Sequence, residues 1–387
     1  MPAAPAPSRL GAVAVVVEAA LYSAVAPLLP HYRDDAGLSE TEAGVLTGSY
    51  TAGMVVGSLA GAAAASRRGP RQVVVAGFLL LALASVTFGL SRSAATLDAS
   101  RAAQGFGAGL IWSGVLAWLL ATAPDERRGR VIGNVLGAAI FGTMFGPVLG
   151  TGAAAVGPEI AFGLVAACAV GIAAWAARTP APPRAPSLGT DWRAAARHGR
   201  LAWLTLLSLL PGIVIGATNA LVPLRLDGDG WSDPAVGATF FVVSIVAAIT
   251  SPVVGRFSDR LGRIPFVMLG LALAAPGLVL LGVVDAAWPT AVLTAASFGL
   301  AVTIFAVPLM AELSTVAETA GLTVGPAAAL LNLTFAGGET IGAPVGALGA
   351  DLTSDGVPFV VLGLIAAVAL VAVARDGRAA QSAPSTA

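Results

Sequence analysis

The stretch VAVVVEAALYSAVAPLLP (residues 13–30) is apolar over a length that suits a membrane-spanning helix, yet it contains one glutamate, Glu18. A helix of about 20 residues crosses the roughly 30 Å hydrocarbon core of a bilayer. An ionised carboxylate in the middle of that core costs about 3 kcal/mol or more. Glu18 therefore needs either a bound proton or polar partners, and its position suggests a functional site.

The composition predicts a membrane protein. Hydrophobic residues make up 57% of the chain and charged residues 11%, whereas soluble proteins carry about 25% charged residues. The formal net charge is +0, so nothing indicates nucleic-acid binding. The single cysteine excludes an intrachain disulfide, and His31 and His198 lie far apart. We therefore expect no metal and no cofactor.

Apolar runs of about 20 residues recur along the chain, and each is long enough to cross a bilayer as a helix. Glu18 interrupts the first run and Pro27 would follow a cleavage site, so we expect a retained span rather than a signal peptide. The predicted fold is an all-α integral membrane protein with twelve transmembrane helices. These spans 1 to 12 cover about 11–30, 44–65, 73–91, 96–122, 131–153, 160–177, 201–224, 236–254, 264–284, 288–311, 324–349 and 357–374.

The arginines predict the orientation. If the N-terminus is cytoplasmic, most arginines fall in cytoplasmic segments, and only Arg33, Arg92 and Arg225 fall in outer loops. All 21 basic residues are arginine, which is typical of a GC-rich bacterium. We therefore expect a multi-pass protein of the bacterial cytoplasmic membrane with both termini in the cytoplasm.

The longest connector, residues 178–200, is rich in proline and arginine and lies near the middle of the chain. It predicts a cytoplasmic linker between an N-terminal six-helix bundle, 1–177, and a C-terminal six-helix bundle, 201–387.

The two predicted halves repeat each other at an offset of about 193 residues. The matching segments, given as pairs, are Pro30 with Pro223, GLSETEAG (37–44) with GWSDPAVG (230–237), and SRRGPR (66–71) with DRLGRI (259–264). Such parallel repeats predict pseudo-symmetric halves with a functional site near mid-membrane.

The loop GRFSDRLGR (255–263) concentrates charge between spans 8 and 9. Gly255 and Gly262 permit a tight turn, and Asp259 can pair with an arginine or cap the next helix. Alternatively, the basic residues simply anchor the loop in the cytoplasm. The candidate gating residues of this loop are Gly255, Asp259, Arg260, Gly262 and Arg263.

This loop resembles the motif G-x-x-x-D-R-x-G-R of the major facilitator superfamily, which occurs between spans 2 and 3 and between spans 8 and 9. The 2–3 copy is degraded here, because Ala62, Ser66 and Pro70 replace motif residues. If the family's gate operates, the resemblance implies that the second half carries more of it.

Span 4 contains RAAQGFGAG (101–109), similar to the superfamily motif R-x-x-Q-G-x-G-A. Arg101 would lie about 9 Å inside its helix and needs a polar partner there. Gln104 shares its helix face and could help to hold it. The alternative is that Arg101 extends to the outer interface.

Span 5 contains GNVLGAAIFGTMFGPVLGTG (133–152). Gly142, Gly146 and Gly150 form a stripe that lets another helix approach, and Pro147 should kink the helix. The pattern is similar to the antiporter motif of proton-linked exporters in the superfamily, with Thr151 replacing its last glycine. The resemblance implies export rather than uptake.

Two carboxylates lie well inside predicted spans. Drug/proton antiporters of the superfamily often place a carboxylate in span 1, and Glu18 resembles it. A carboxyl group removed from water can hold a proton near neutral pH, so Glu18 is the candidate proton-coupling residue, together with Arg101 and Gln104. Glu18 could instead be a structural residue bonded to Ser, Tyr or backbone groups, or paired with Arg101. Glu339 in span 11 is either a second proton or cation site or a polar tie between helices.

Four further residues are candidates for the substrate cavity: Tyr22, Phe106, Trp112 and Asn219. Phe106 and Trp112 could stack on an aromatic or cationic ligand. Ordinary packing is the alternative for all four.

These features predict a proton-coupled secondary transporter, similar to the twelve-span drug/proton antiporters, that exports small lipophilic or cationic molecules by alternating access. Its partners are then the substrate, protons and the lipid bilayer, and we expect a monomer. One alternative is a proton symporter or uniporter that imports a nutrient. A remote alternative is an integral-membrane enzyme resembling a prenyl transferase, because DLTSD (351–355) carries paired aspartates that could hold Mg²⁺.

Overall fold

The structure is a computed structural model that describes residues 6–122, 128–180, 197–322 and 324–382. Within these ranges the regular structure is entirely helical. Eleven described helices are long and apolar enough to cross a membrane. Val324–Leu352 is not among the eleven, but it has 29 residues and coincides with predicted span 11.

Helices occur at all twelve predicted spans. Their bounds, in order, are Ala6–Ser23 with Leu29–Ala36, Glu40–Arg68, Pro70–Leu90, Ala94–Thr122, Arg128–Val156, Pro158–Arg178, Gly199–Leu207 with Leu209–Gly228, Asp233–Leu261, Arg263–Val283, Ala287–Thr294 with Thr303–Thr319, Val324–Leu352, and Val357–Ser382.

Two spans are interrupted by other helix types. In span 1, a 3₁₀ turn at Ala26–Leu28 separates the two α-helical pieces, and its Pro27 lies in the first turn. In span 10, a π-helix at Ala295–Val302 joins the two pieces. Such wide turns occur mostly as short insertions and often lie at functional sites.

The internal repeat is preserved in the helix boundaries. Spans 2 and 8 begin at Glu40 and Asp233, which are separated by the same 193 residues as the sequence repeat. The loop that follows each of them contains a glycine in nearly the same conformation: Gly69 has φ 94° and ψ 147°, and Gly262 has φ 97° and ψ 143°. Side chains disfavour this backbone region, so both loops require glycine.

The chain forms two compact units. Unit 1 comprises Met1–Gly189 with Trp231–Phe241, and unit 2 comprises Thr190–Gly230 with Val242–Ala387. The start of span 8 belongs to unit 1, where a Cβ on Gly237 would lie 2.0 Å from the Thr151 hydroxyl. The bounds 1–177, 178–200 and 201–387 stay predictions, and residues 181–196 of the linker lie outside the described residues.

In unit 1, glycines bring spans 2 and 4 into backbone contact. A Cβ on Gly105 would lie 1.8 Å from the Tyr50 carbonyl oxygen, and a Cβ on Gly53 would lie 2.0 Å from the Ala102 carbonyl oxygen. Side chains at these positions would hold the helices apart. The contact therefore places Tyr50 of span 2 beside the Arg101 turn of span 4.

Span 5 packs on span 1 through the predicted glycine stripe. A Cβ on Gly142 would lie 2.5 Å from the Val16 carbonyl oxygen, and a Cβ on Gly146 would lie 1.8 Å from the Ser23 hydroxyl. A Cβ on Gly150 would lie 2.1 Å from the Ala24 carbonyl oxygen. The Ser23 hydroxyl also donates to the Thr143 carbonyl at 3.1 Å. Pro147 lies inside the continuous helix Arg128–Val156. The partner of the stripe is thus the helix that carries Glu18.

In unit 2, spans 7 and 11 are packed in the same way. A Cβ on Gly216 would lie 2.7 Å from the Glu339 carbonyl oxygen, and a Cβ on Gly342 would lie 2.2 Å from the Ile213 carbonyl oxygen. Since each helix supplies glycines to the contact, the backbone of Glu339 lies directly against span 7.

Candidate functional site

The Glu18 side chain is buried in unit 1 and uses both carboxylate oxygens. It is 2% exposed. Oε1 accepts a hydrogen bond from the Tyr50 hydroxyl at 2.6 Å, and Oε2 accepts one from the Trp112 indole Nε1 at 2.6 Å. Hydrogen bonds to a charged group are short and strong, so these two donors stabilise an ionised carboxylate away from water.

Arg101 is buried in the same unit, at 1% exposure. Its guanidinium donates to Gln104 Oε1 at 3.0 Å and to the Tyr22 carbonyl at 3.5 Å. Its Cζ lies 4.2 Å from the centroid of the Tyr50 ring, within the range of a cation–π interaction. Within the described residues, Arg101 Nε has no hydrogen-bond partner.

Tyr50 connects the two charged groups. Its hydroxyl contacts Glu18 and its ring faces Arg101, while the Tyr22 ring lies 5.5 Å away. Among the residues that the structure describes, Glu18 and Arg101 form no direct ion pair. Nothing in the sequence marks Tyr50 as a site residue, because a tyrosine in a glycine-rich span is not distinctive before its partners are known.

Gln104 is fixed from a third helix. Its Nε2 donates to Ser85 Oγ of span 3 at 3.2 Å, and both residues are fully buried. Its Oε1 then remains oriented toward Arg101. Nothing in the sequence marks Ser85 either, because buried serines are common in membrane helices.

The structure brings two of the four predicted cavity residues to this cluster. Tyr22 and Trp112 pack against the buried core around Tyr50. Phe106 is half-buried on span 4, and its backbone lies against the glycines of span 2. Asn219 belongs to unit 2, is half-buried, and makes no side-chain hydrogen bond to described residues.

Glu339 also belongs to unit 2 and is 3% exposed. It is therefore a second buried carboxylate, carried by the helix that packs most closely on span 7.

The polar cluster of unit 1 has no counterpart in the repeat. At the 193-residue offset, the positions of Glu18, Tyr50 and Arg101 fall on residues without an ionisable side chain. These residues are Pro211, Val243 and Thr294. The two halves share helix boundaries but not this chemistry.

The loop 255–263 lies beside a charge network in unit 2. Arg263 contacts Asp259 at 3.5 Å and Glu312 at 3.4 Å, and it donates to the Thr315 hydroxyl at 2.7 Å. Arg200 contacts the other oxygen of Glu312 at 2.6 Å. Asp259 thus pairs with an arginine rather than capping the next helix, whose N-cap is Gly262 and has no side-chain cap.

The prediction of a tight turn at Gly255 is wrong, because Gly255 is half-buried inside the helix Asp233–Leu261, which continues through most of the segment 255–263. Arg260 is exposed in the last turn of that helix, and Gly262 provides the positive φ described above.

No group of three or more His, Cys, Asp or Glu residues in the described part of the chain could hold a metal ion. The site is defined by the hydrogen bonds of Glu18, Arg101 and Gln104 and by the cation–π contacts of Arg101 with the Tyr50 ring at 4.2 Å and with the Phe88 ring at 5.8 Å.

The sequence matches the profile of the Major Facilitator Superfamily over residues 11–325 and 230–386, and the chain belongs to this superfamily. The prediction of family and of a transporter rather than an enzyme is confirmed, and the prenyl transferase alternative is set aside.

Several bacterial relatives are named for drug resistance. The chain is 32% identical to a chloramphenicol resistance protein of Streptomyces lividans, with 95% of each chain covered. It is 33% identical to the multidrug resistance protein MdtL of Escherichia coli, over 32% of this chain and 31% of that protein. It is 25% identical to the quinolone resistance protein NorA of Staphylococcus aureus, over 33% of this chain and 32% of that protein.

Solved structures confirm the fold. The xylose transporter XylE of E. coli, in a partially occluded inward-open conformation, superposes with a TM-score of 0.73 at 16% identity and covers 95% of this chain and 96% of its own. A bacterial homologue of the human lysosomal transporter Spinster gives 0.75 at 14% identity with the same coverage. The chain thus has the twelve-helix fold of this superfamily and is a multi-pass membrane transporter.

Proposed function

We propose that this transporter is a proton-coupled exporter of small lipophilic or cationic molecules, with chloramphenicol as the first substrate to test. The supporting observation is the buried Glu18 carboxylate, which is held by two donors and connected through Tyr50 to the buried Arg101. An ionisable residue inside a membrane is a functional site by default, and carboxylates there serve as proton relays. The proposal includes a location in the bacterial cytoplasmic membrane, cytoplasmic termini and a monomeric state.

In the proposed cycle, Glu18 carries the proton. With the site open to the cytoplasm, substrate binding beside Tyr22 and Trp112 displaces the proton from Glu18. After the two halves rearrange and open the site to the outside, substrate leaves and Glu18 binds a proton from the outer solution. Inward movement of the proton drives substrate export, because each proton that moves inward releases about 2.3 kcal/mol per 100 mV of membrane potential.

Arg101 and Gln104 support this exchange without carrying the proton. A fixed positive charge close to Glu18 favours the ionised carboxylate, so Arg101 favours release of the proton when substrate arrives. Gln104 and Ser85 hold the guanidinium in position. The loop 255–263 and the glycine stripe of span 5 are the proposed gating elements.

The proposed direction of transport, export, is supported by sequence similarity to named relatives and by the span 5 pattern. The relative named for chloramphenicol resistance covers 95% of this chain, and the span 5 pattern resembles that of exporters. MdtL and NorA carry resistance names too, but they match only about a third of the chain. The likeness to XylE is at 16% identity and supports the fold alone, so no observation favours import of a sugar or another nutrient.

The test is proton release from detergent-solubilised protein in weak buffer. Chloramphenicol and tetraphenylphosphonium, a lipophilic cation, are added separately to the wild type, to Glu18→Gln and to Glu339→Gln. We expect the wild type and Glu339→Gln to release protons and Glu18→Gln to release none, because an amide cannot exchange a proton near neutral pH.

Two results would contradict the assignment. Equal release from the wild type and Glu18→Gln would move the coupling site elsewhere, with Glu339 next to test. If neither probe releases protons from the wild type, while everted membrane vesicles still accumulate chloramphenicol without a proton gradient, the transporter is not proton-coupled.

A further inference from the structure

We infer that the transported proton binds Oε1 of Glu18, and that Tyr50 transmits this protonation to Arg101 by reversing its hydrogen bond. Tyr50 is then a positioning residue that links the carboxyl group to the guanidinium. The inference rests on the proposed role of Glu18 and adds the atom that takes the proton and the residue that senses it.

The two hydrogen-bond partners of Glu18 differ in what they can do. The indole nitrogen of Trp112 carries a hydrogen and can only donate, whereas a tyrosine hydroxyl can donate or accept. Oε2 faces Trp112 at 2.6 Å and must keep a lone pair for that bond. A proton on the Oε2 lone pair that faces Trp112 would place two hydrogens between the same two atoms. A proton on the other Oε2 lone pair would gain no hydrogen bond to Trp112, because the indole cannot accept one.

Oε1 has a partner that can adapt. When Glu18 is ionised, Tyr50 donates its hydroxyl hydrogen to Oε1 at 2.6 Å. When a proton binds Oε1, the new O–H group donates to the Tyr50 oxygen, and the Tyr50 hydrogen rotates away. No covalent bond of Tyr50 changes, and the proton count of the pair rises by one. Both states thus retain two hydrogen bonds to Glu18.

This reversal acts on the contact with Arg101. The guanidinium carbon lies 4.2 Å from the centre of the Tyr50 ring, and a cation–π interaction depends on the negative charge of the ring face. A phenol that donates to a carboxylate becomes more electron-rich, while a phenol that accepts becomes less so, because bonded groups polarise one another. Protonation of Glu18 therefore weakens the hold of Tyr50 on Arg101.

Arg101 is placed to pass the change to two helices. Besides the Tyr50 ring, its guanidinium contacts Gln104 on its own span and the carbonyl of Tyr22 on span 1. The Tyr50 backbone packs against Gly105, and the reversal requires only that the hydroxyl hydrogen of Tyr50 rotates.

Tyr50 is the group that contacts both the Glu18 carboxyl group and the Arg101 guanidinium. The titratable or charged groups that face Glu18 are Tyr50 of span 2 and Arg101 of span 4, and Tyr22 lies one turn along span 1. The part of span 5 that packs on span 1, from Gly142 to Gly150, carries no ionisable residue. In span 6, Glu159 is paired with Arg92.

Infrared difference spectroscopy of the purified full chain tests this inference without substrate. A pH titration records the carboxyl C=O band, assigned by its loss in Glu18→Gln, together with the ring C–O band of tyrosine. The chain has only three tyrosines, so Tyr50→Phe assigns the tyrosine band. We expect the Tyr50 band to shift on the same titration as the Glu18 band and to stay constant in Glu18→Gln.

Two variants, each of which removes one donor to Glu18, complete the test. Tyr50→Phe keeps the ring over Arg101 but removes the donor to Oε1, and Trp112→Phe removes the donor to Oε2. Because each variant removes one hydrogen bond to the carboxylate, we expect either one to change the pH at which the Glu18 carboxyl band titrates. In Trp112→Phe the tyrosine band should still follow the Glu18 titration.

A Tyr50 band that stays constant while Glu18 titrates would overturn the inference, and so would an unchanged Glu18 titration in Tyr50→Phe. If Tyr50→Phe does not fold, the comparison of wild type with Glu18→Gln still decides. Failure of the proposed function would give a different result from failure of this inference. In that case the Glu18 and Tyr50 bands would still titrate together in the infrared, but the Glu18→Gln variant would still transport substrate.

Discussion

Replacement of Gly105 by alanine should push spans 2 and 4 apart where Gly105 packs against the Tyr50 backbone. A Cβ there would lie 1.8 Å from the Tyr50 carbonyl oxygen and 3.0 Å from the Met54 nitrogen, both backbone atoms that cannot rotate away. A carbon–oxygen contact needs about 3.3 Å, so spans 2 and 4 must separate by about 1.5 Å. Overpacking of this kind costs about 1–3 kcal/mol.

The same displacement should impair function, because it moves Tyr50 relative to Arg101. The distance from Arg101 Cζ to the Tyr50 ring would grow from 4.2 Å to about 5.7 Å, close to the roughly 6 Å limit of a cation–π contact. If Tyr50 moves away from Glu18 by a similar amount, its 2.6 Å hydrogen bond is lost as well. We therefore expect Gly105→Ala to fold with a lower melting temperature and to lose proton release.

The assay is thermal unfolding in detergent combined with proton release on adding chloramphenicol. The matched control is Gly163→Ala in span 6, where a Cβ meets no atom within 4 Å. The control should be neutral or slightly stabilising, since alanine is favoured over glycine in a helix by about 1 kcal/mol. A Gly105→Ala protein as stable and as active as Gly163→Ala would refute the reasoning.

Two further predictions concern energetics and the charge network of unit 2. Exchange of one proton for neutral chloramphenicol moves one net charge inward, so an imposed potential, negative inside, should accelerate chloramphenicol export in proteoliposomes. Exchange of one proton for a monovalent lipophilic cation moves no net charge, so export of the cation should not respond to the potential. A response of both substrates would indicate more than one proton per cycle. Glu312→Gln removes the negative charge that Arg200 and Arg263 share, so thermal unfolding should show that the free energy of unfolding falls by about 1 kcal/mol. The control Glu318→Gln, at an exposed position, should change the free energy of unfolding by less than about 0.5 kcal/mol. Equal stabilities of these two variants would show that the network contributes nothing.

Much of the fold could be predicted because its determinants are local. Hydropathy over about 20 residues located the spans, and the 193-residue repeat predicted the matching boundaries of spans 2 and 8. The glycine stripe of span 5 predicted a close helix contact, but the sequence did not reveal that span 1 is the partner. A stripe specifies one surface, and its partner depends on how the other helices are arranged.

The candidate site shows the same division. Glu18, Arg101 and Gln104 stood out from the sequence because charged and amide groups inside apolar runs are costly and few. Tyr50, Ser85 and the role of Glu312 did not stand out, because nothing in their own segments distinguishes them.

The sequence by itself therefore determined the number and the approximate positions of the apolar spans, and which charges inside them need partners. Tertiary structure alone decided that Glu18 is bonded to Tyr50 and Trp112 rather than paired directly with Arg101. The physical reason is range. Hydropathy and backbone conformation act over one helix, whereas a hydrogen bond between residues 32 or 94 positions apart exists only after the helices that carry them have packed together.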